Sequence, residues 1–378
     1  MENLQELPVN EEVSGVAPEV VEKVLDRTTT KLVNEVNKIR NILNEIRGVV
    51  KSKFTLNTAE RFEELCYTAV DSSYTAPAIE LIGGYLGIVV VSTVLYGLKC
   101  SRCSVDAKAY TDLWFSNDLT STYAKYYERL TTLKLLERKK DGEIYFDVLL
   151  VDGEIIPRTL TTYLEPGREV LWKVIELTNK VIELADKTDT ALVGVLKRSY
   201  ARDIVNILGF HDLRLNDRAI MSLVLRPNEY LIVGAHCDIY DELRRLKGRL
   251  GVNEEWLGAR LRWYDALVKN IPTGYAIKLA FYRAPKTLYP TATKVEYLTS
   301  DSLDEDTLLS SLIHVSTATG IPAPIDYADT LSTITKELRQ AVYQKLLVEI
   351  VKRLRAEAKD ILPILSLMNP EKITRILT

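Results

Sequence analysis

The sequence is poor in the residues on which several enzyme classes depend. Its 378 residues include only three histidines and four cysteines. None of the histidines stands in a G-x-S-x-G or H-E-x-x-H context, so the parts of a serine hydrolase or a zinc protease of those classes are missing. There is also no G-x-x-x-x-G-K-[ST] motif, so ATP hydrolysis would have to come from a partner protein.

Four cysteines are too few for a disulfide framework in a chain of this length. Cys100 and Cys103 have C-x-x-C spacing, which can serve zinc binding or redox chemistry. A structural zinc site needs four ligands, however, and no second C-x-x-C or C-x-x-H occurs. The spacing therefore favours either a hairpin-tip pair without chemistry or a local disulfide.

The chain lacks both a strong excess of one charge and a long hydrophobic run. Its formal net charge is −3, so any polyanion must be held by a local basic patch. The longest apolar candidate, residues 79–98, contains four glycines and does not approach the ~20 apolar residues that span a bilayer. The N-terminus is acidic and polar, so a signal peptide is not expected. We therefore expect a soluble, cytoplasmic protein that does not associate with membranes.

The order of predicted elements is more informative than any single motif. Residues 1–17 are predicted to be a disordered tail, followed by a long helix from Pro18. Apolar periodicity and turn residues then predict the following elements. They are strands at Cys66–Val70, Tyr85–Leu98 and Ser104–Phe115, a helix at Leu119–Arg138, a strand at Ile144–Val151, a helix at Arg168–Asp186 and a strand at Thr190–Leu196.

This β-β-β-α-β-α-β order is that of the ribonuclease H-like fold. We therefore predict an α/β protein with an RNase H-like mixed β-sheet flanked by helices, and with long N- and C-terminal helices. No linker rich in proline, glycine or serine divides the chain, so residues 18–378 are predicted to form one domain with a core at about 60–337. The C-terminal helix is expected from about Asp326 to Lys359.

Two acidic residues stand at the ends of apolar runs. Asp71 closes Leu65–Val70 and Asp152 closes Phe146–Val151. A carboxylate where a buried strand surfaces is costly unless a cation pairs with it, and a divalent metal ion is a common partner. In the predicted fold these strands are neighbours, so both acids are expected in one metal site. A two-metal site needs further acids, and Glu128 in the intervening helix is the candidate, with an exposed helix charge as its alternative.

Four short motifs occur in the order and register of one family. They are Ala-Val-Asp71-Ser-Ser-Tyr74, Leu-Leu-Val-Asp152-Gly-Glu154, Leu-Val-Gly-Val-Leu-Lys197-Arg-Ser199 and Gly320-Ile-Pro322-Ala-Pro324-Ile-Asp-Tyr-Ala328-Asp329. Together they resemble the NurA nucleases of archaea and some bacteria, from about residue 66 to residue 337.

The resemblance implies an RNase H-like, manganese-dependent nuclease that degrades DNA from 5′ to 3′, with single-strand endonuclease activity as a further option. It also implies a homodimer that works with a hexameric HerA-type ATPase in the resection and repair of DNA ends. Carried over by motif, the metal acids fall on Asp71, Glu128 and Asp152. Lys197 matches a basic position, and Asp217-Arg218 matches a D-R pair.

The last motif departs from the family pattern, which usually reads G-Y-P-x-P-L-x-x-A-H. Ile321 stands in place of the tyrosine and Asp329 in place of the histidine. Aspartate can replace histidine as a ligand of a hard metal, so Asp329 is predicted as the fourth ligand. Two functions follow: an active nuclease, or a catalytically degenerate NurA-like subunit that binds DNA or docks on an ATPase.

In the active case, the expected cofactor is Mn²⁺ or Mg²⁺, with two ions in the site. Asp71 is predicted to bridge the ions, Asp152 and Asp329 to hold one each, and Glu128 to hold or orient the attacking water. Lys197 is predicted to neutralise charge on the phosphate, or else to be a solvated residue at a strand end.

DNA contact is predicted for two basic segments. The first contains Lys197, Arg198, Arg202 and Arg218, and the second contains Arg260 and Arg262 interleaved with Trp256. Basic side chains that follow phosphates, with aromatic rings for stacking, bind single strands without sequence preference. The alternative for the second segment is a solvated helix face with tryptophans in the core.

Overall fold

The five strands predicted above belong to one sheet of ten strands. The computed structural model describes residues 18–60, 62–76, 78–81, 84–114, 119–157 and 168–354. The strands are β1 (Leu56–Thr58), β2 (Tyr67–Tyr74), β3 (Ile79–Leu81), β4 (Gly84–Tyr96), β5 (Ser104–Trp114), β6 (Val148–Asp152), β7 (Ala191–Leu196), β8 (Glu229–Ala235), β9 (Lys278–Tyr282) and β10 (Thr293–Leu298). The helices are α1 (Pro18–Lys53), α2 (Thr120–Lys140), α3 (Arg168–Lys187), α4 (Asp203–Ile207), α5 (Asp217–Val224), α6 (His236–Arg244), α7 (Glu254–Asn270), α8 (Glu305–Val315), α9 (Ala323–Ser332) and α10 (Lys336–Leu354).

The sheet order confirms the predicted fold class. The strands run β1-β8-β9-β10-β7-β6-β2-β4-β3, and β5 pairs with β4. β2 pairs parallel with β6, and β6 parallel with β7, while the other described pairs are antiparallel. Three antiparallel strands followed by two added parallel strands form the RNase H-like arrangement. The C-terminal ends of β2, β6 and β7 therefore meet at one edge of the sheet.

Both faces of the central strands are buried, which explains their unbroken apolar sequence. On β6, Leu149 and Val151 belong to the core that packs under α1 to α7. The alternate residues Val148 and Leu150 belong to the core under α8 and α9. The sheet thus has helices on both faces.

α1 buries only its C-terminal part. Ile46 and Val50 are fully buried in the core, whereas Leu25, Leu32 and Val36 are exposed. The apolar side chains of α1 are therefore buried against the protein's own body only over the last turns of the helix.

The predicted continuous C-terminal helix is wrong, because two helices occupy this region. α9 ends at Ser332 and α10 begins at Lys336. Thr333 leaves the helical conformation with φ −55° and ψ 120°, and the Ile334 amide donates to Ser73 Oγ at 3.1 Å. The Ile334 amide thus donates to a side chain of β2 instead of to a carbonyl of α9, and the helix ends. The predicted part beyond Leu354 lies outside the described residues.

The cysteine prediction is also corrected. Cys66 and Cys100 form a disulfide, and Cys103 is a free, exposed thiol. The pairing of Tyr67 with Tyr96 brings the start of β2 beside the β4–β5 turn, so Cys100 reaches Cys66 instead of Cys103. Among the described residues, no helix is both long and apolar enough to cross a bilayer.

Candidate active site

Strand pairing places the two strand-end acids side by side. Val70 and Val151 are partners in the parallel β2–β6 pair, and Asp71 and Asp152 are the next residues of these strands. Asp71 is 2% exposed, whereas the Asp152 side chain is 28% exposed. The predicted neighbourhood of the two carboxylates is present in the structure, at the C-terminal edge of the central strands.

Lys197 stands at the centre of this edge. It directly follows β7, which is parallel to β6. Its Nζ lies 3.8 Å from Asp71 Oδ2, 3.5 Å from Asp152 Oδ1 and 3.1 Å from Asp329 Oδ2. One ammonium group thus brings together three of the predicted metal acids, and the alternative of a solvated strand-end lysine is wrong.

Asp329 lies on α9, and main-chain carbonyls of this helix accept hydrogen bonds from β2 and β4. Ser92 Oγ donates to the Ala328 carbonyl at 2.6 Å, and Ser73 Oγ donates to the Ser332 carbonyl at 2.7 Å. Asp329 itself is 54% exposed and lines a cleft of about 310 Å³ together with Asp152, Gly153, Glu154, Leu196, Lys197 and Arg198.

Glu128 is fully buried, so its alternative as an exposed helix charge is wrong. Its Oε2 accepts a hydrogen bond from Ser72 Oγ at 2.7 Å, and its Oε1 accepts one from Arg129 Nη1 at 2.8 Å. Lys125 Nζ contacts both oxygens, at 3.2 and 3.1 Å. Ser72 follows Asp71 on β2, so its hydroxyl links Glu128 to the strand that carries the first acid.

Arg129 and Lys125 also hold the turn that follows Asp152. Arg129 Nη2 donates to the Glu154 carbonyl at 2.6 Å and to the Ile155 carbonyl at 3.0 Å. Lys125 Nζ donates to the Asp152 carbonyl at 3.0 Å. Lys125 was not among the predicted site residues. Its position three residues before Glu128, on the same helix face, was the available signal.

Burial and mutual repulsion shift the protonation equilibria of the acids. Burial, reinforced by the nearby Asp152 carboxylate, raises the pKa of Asp71 to about 8. Burial also raises the pKa of Asp152, although Lys197 opposes the shift. Burial alone would lower the pKa of Lys197, but Asp152, Asp71 and Asp329 raise it. The clustered carboxylates therefore favour the binding of a proton or another cation.

The raised pKa of Asp71 predicts a pH-dependent stability in the presence of a chelator. The native state binds this proton more tightly than the unfolded chain, whose carboxyl has a pKa of 3.8. The free energy of unfolding should thus decrease as pH rises from about 4 to about 8 and level off above. Urea unfolding at several pH values measures this slope. An Asp71→Asn variant with an equally steep slope would contradict the assignment.

The donor chemistry of the site fits a divalent cation. All four acids offer carboxylate oxygens, which Mg²⁺ and Mn²⁺ prefer. Asp71 Oδ2 is buried and accepts no hydrogen bond. In the described ranges, no three acidic, histidine or cysteine side chains are gathered as a ready metal-binding group. Instead, the ammonium groups of Lys197 and Lys125 stand among the acids, so ion binding requires side chains to move.

Three of the arginines predicted to contact DNA are bound to the protein itself. Arg202 Nη2 donates to the carbonyls of residues 211 and 213. Arg218 donates to the carbonyls of Ala292 and Lys197, and Arg260 forms an ion pair with the buried Asp203. These half-buried side chains are thus held by groups of the protein itself. The Arg218 bond holds the main chain at Lys197.

The other predicted DNA contacts lie nearer the surface. Arg198 is exposed at the edge of the cleft, and Arg262 is exposed on α7. Trp256 is half-buried and packs against the core, as its structural alternative proposed. DNA contact by Arg198 and Arg262 stays a prediction.

The unusual residue of the last motif belongs to the core. Ile321 is 5% exposed in the core under α8 and α9. Tyr327, the nearest tyrosine in sequence, lies with its ring 5.8 Å from that of Tyr96. Tyr96 pairs with Tyr67 at the start of β2, four residues before Asp71 on that strand. Tyr327 therefore does not replace the missing tyrosine in the site.

Comparisons with known proteins agree with this architecture. The profile of the NurA domain family matches residues 67–334. The crystal structure of the NurA nuclease from Sulfolobus solfataricus is similar, with a TM-score of 0.57 and 13% identity over 89% of this chain and 98% of that chain. A NurA crystal structure with manganese has a TM-score of 0.49 and 14% identity, over 88% of this chain and 99% of that chain. No curated protein sequence shows a significant match.

Proposed function

Because this chain belongs to the NurA family, we propose that it is a divalent-metal-dependent nuclease that hydrolyses phosphodiester bonds in DNA. One observation carries the proposal: Asp71 of β2, Asp152 at the end of β6 and Asp329 of α9 converge on Lys197 Nζ. The similar Sulfolobus solfataricus protein is also described as a nuclease.

The metal-binding part of the proposal rests on the donor set. Asp71, Asp152 and Asp329 would hold Mn²⁺ or Mg²⁺, with Glu128 as the fourth acid. Two such ions, when bound, supply an activated water and stabilise the leaving oxygen. Manganese is favoured by the family resemblance, and the carboxylate donors suit either ion.

The protein's own cations have separate roles in this proposal. Lys197 lines the cleft and carries an ammonium group whose charge favours a bound phosphate. Arg129 keeps a positive charge next to Glu128 and fixes the turn after Asp152. Arg198 is exposed at the cleft edge, where it can contact the DNA backbone.

Finer features of the proposal come from the family resemblance. They are 5′ to 3′ exonuclease activity with endonuclease cleavage of single strands, a homodimer, and association with a HerA-type ATPase in DNA end resection. The exposed apolar side chains of α1 provide surface for a protein contact. Direction is tested by the position of the label, because a 5′ to 3′ exonuclease releases a 5′ label first.

The test of the function is cleavage of labelled linear DNA, single- and double-stranded, with Mn²⁺, Mg²⁺ or EDTA. We expect cleavage with Mn²⁺ and none with EDTA, because the carboxylates cannot activate water without an ion. If neither ion supports cleavage, alone or with the ATPase partner, the nuclease proposal fails. DNA binding without cleavage would then favour the scaffold function.

A further inference from the structure

We infer that Lys125 is a positioning residue whose ammonium group is bound to the Glu128 carboxylate. A divalent ion must displace this ammonium group to reach the carboxylate. The inference deepens the proposed function and rests on the metal-dependent site described above. It concerns the metal affinity of the protein, which is measurable without DNA and without cleavage.

The contacts of Lys125, Ser72 and Arg129 together engage both oxygens of the Glu128 carboxylate. Its Nζ lies 3.2 Å from Glu128 Oε1 and 3.1 Å from Oε2, three residues along α2. Each oxygen has one further donor, which is Ser72 for Oε2 and Arg129 for Oε1. Glu128 is fully buried, so water does not compete for these oxygens. An ion can therefore bind Glu128 only if one of these partners leaves.

Of the two cations, Lys125 is the one that can leave. Arg129 is 1% exposed, and its guanidinium also holds two main-chain carbonyls after Asp152. The Lys125 side chain is 37% exposed, on a flexible stem whose ammonium is well hydrated in water. Arg129 alone balances the charge of Glu128, so departure of Lys125 leaves no uncompensated buried charge.

The ammonium group also contacts the turn that lines the cleft. Its bond to the Asp152 carbonyl places it over the turn at Gly153. Gly153 has φ +87°, and a Cβ built there would lie 3.6 Å from Lys125 Nζ. Gly153 and Asp152 both line the cleft. Lys125 thus contacts both Glu128 and the segment that carries Asp152.

Mn²⁺ titration of the full-length protein without DNA tests the inference. Calorimetry or electron paramagnetic resonance of free Mn²⁺ gives the affinity at fixed pH and ionic strength. Lys125→Met removes the competing charge and keeps the length of the side chain, so we expect Mn²⁺ to bind roughly tenfold more tightly. Lys134→Met, an exposed lysine farther along α2, is the matched control and should bind as wild type does.

A second variant keeps the inference testable if Lys125→Met does not fold. Lys125→Arg retains the charge and can bind the carboxylate through two donors, so it should weaken Mn²⁺ binding several-fold. Unchanged or weaker binding in folded Lys125→Met, or tighter binding in Lys125→Arg, overturns the inference. So does the absence of Mn²⁺ binding in every variant. Tighter binding in Lys125→Met supports it even if wild type cuts no DNA, an outcome that defeats only the nuclease proposal.

Discussion

Asp71→Asn is expected to reduce metal-dependent DNA cleavage by at least about 100-fold and to leave the fold intact. The amide has the same shape but lacks the negative charge, and Asp71 has a buried oxygen that accepts no hydrogen bond. Because burial and Asp152 raise the pKa of this carboxyl to about 8, its ionised form is costly in the fold. The variant should therefore be at least as stable as wild type at pH 8 in a chelator.

Two measurements on the same preparation check this expectation. Cleavage rates with saturating Mn²⁺ report the loss of function, and urea unfolding reports the fold. Asp301→Asn, at an exposed turn position, is the control and should retain the wild-type rate. A cleavage rate for Asp71→Asn close to that of wild type would show that Asp71 has no role in cleavage.

Arg260→Met is expected to lower the free energy of unfolding by about 3–5 kcal/mol. Arg260 Nε donates to Asp203 Oδ1 at 2.6 Å, its Nη2 donates to Oδ2 at 2.5 Å, and the Tyr264 hydroxyl donates to Oδ2 at 3.0 Å. Burial would raise the pKa of Asp203, but Arg260 holds it below its ordinary value. Methionine fills the space and leaves a buried carboxylate without its cation.

The control for this variant is Arg262→Met on the same helix. Arg262 is exposed, so its substitution should leave the unfolding free energy within about 0.5 kcal/mol of wild type. Any weaker binding of DNA by Arg262→Met would then report a direct contact. If Arg260→Met instead keeps the native stability and loses DNA affinity, Arg260 contacts DNA. The assignment of a structural role to Arg260 is then wrong.

The proximity of Asp71 and Asp152 was predictable because it depends on strand order and on where the apolar runs end in the sequence. Apolar runs identify the strands, and an acid at the end of a buried strand stands out. The order of elements then makes the two strands neighbours. Neither step requires side-chain conformations, so both follow from sequence pattern.

The partners of the arginines were not predictable in the same way. Arg198 and Arg202 look alike in sequence, yet one is exposed and the other donates to two main-chain carbonyls. Whether a guanidinium faces solvent depends on which carbonyls the surrounding loops present. Those loops lie between β7 and β9, where the sequence analysis assigned no elements. The end of α9 was missed for a similar reason, since it depends on the distant Ser73.

The attachment of α9 makes position 329 the replaceable member of the proposed ligand set. The hydroxyls of Ser92 and Ser73 bind carbonyls of α9, and neither bond involves the side chain at 329. Since every residue type supplies the same main-chain carbonyl, the helix keeps its place whichever residue it presents to the cleft. The side chain at position 329 can therefore change by a single substitution while the hydrogen bonds that hold α9 stay the same. Asp71, buried in the sheet itself, has no such freedom.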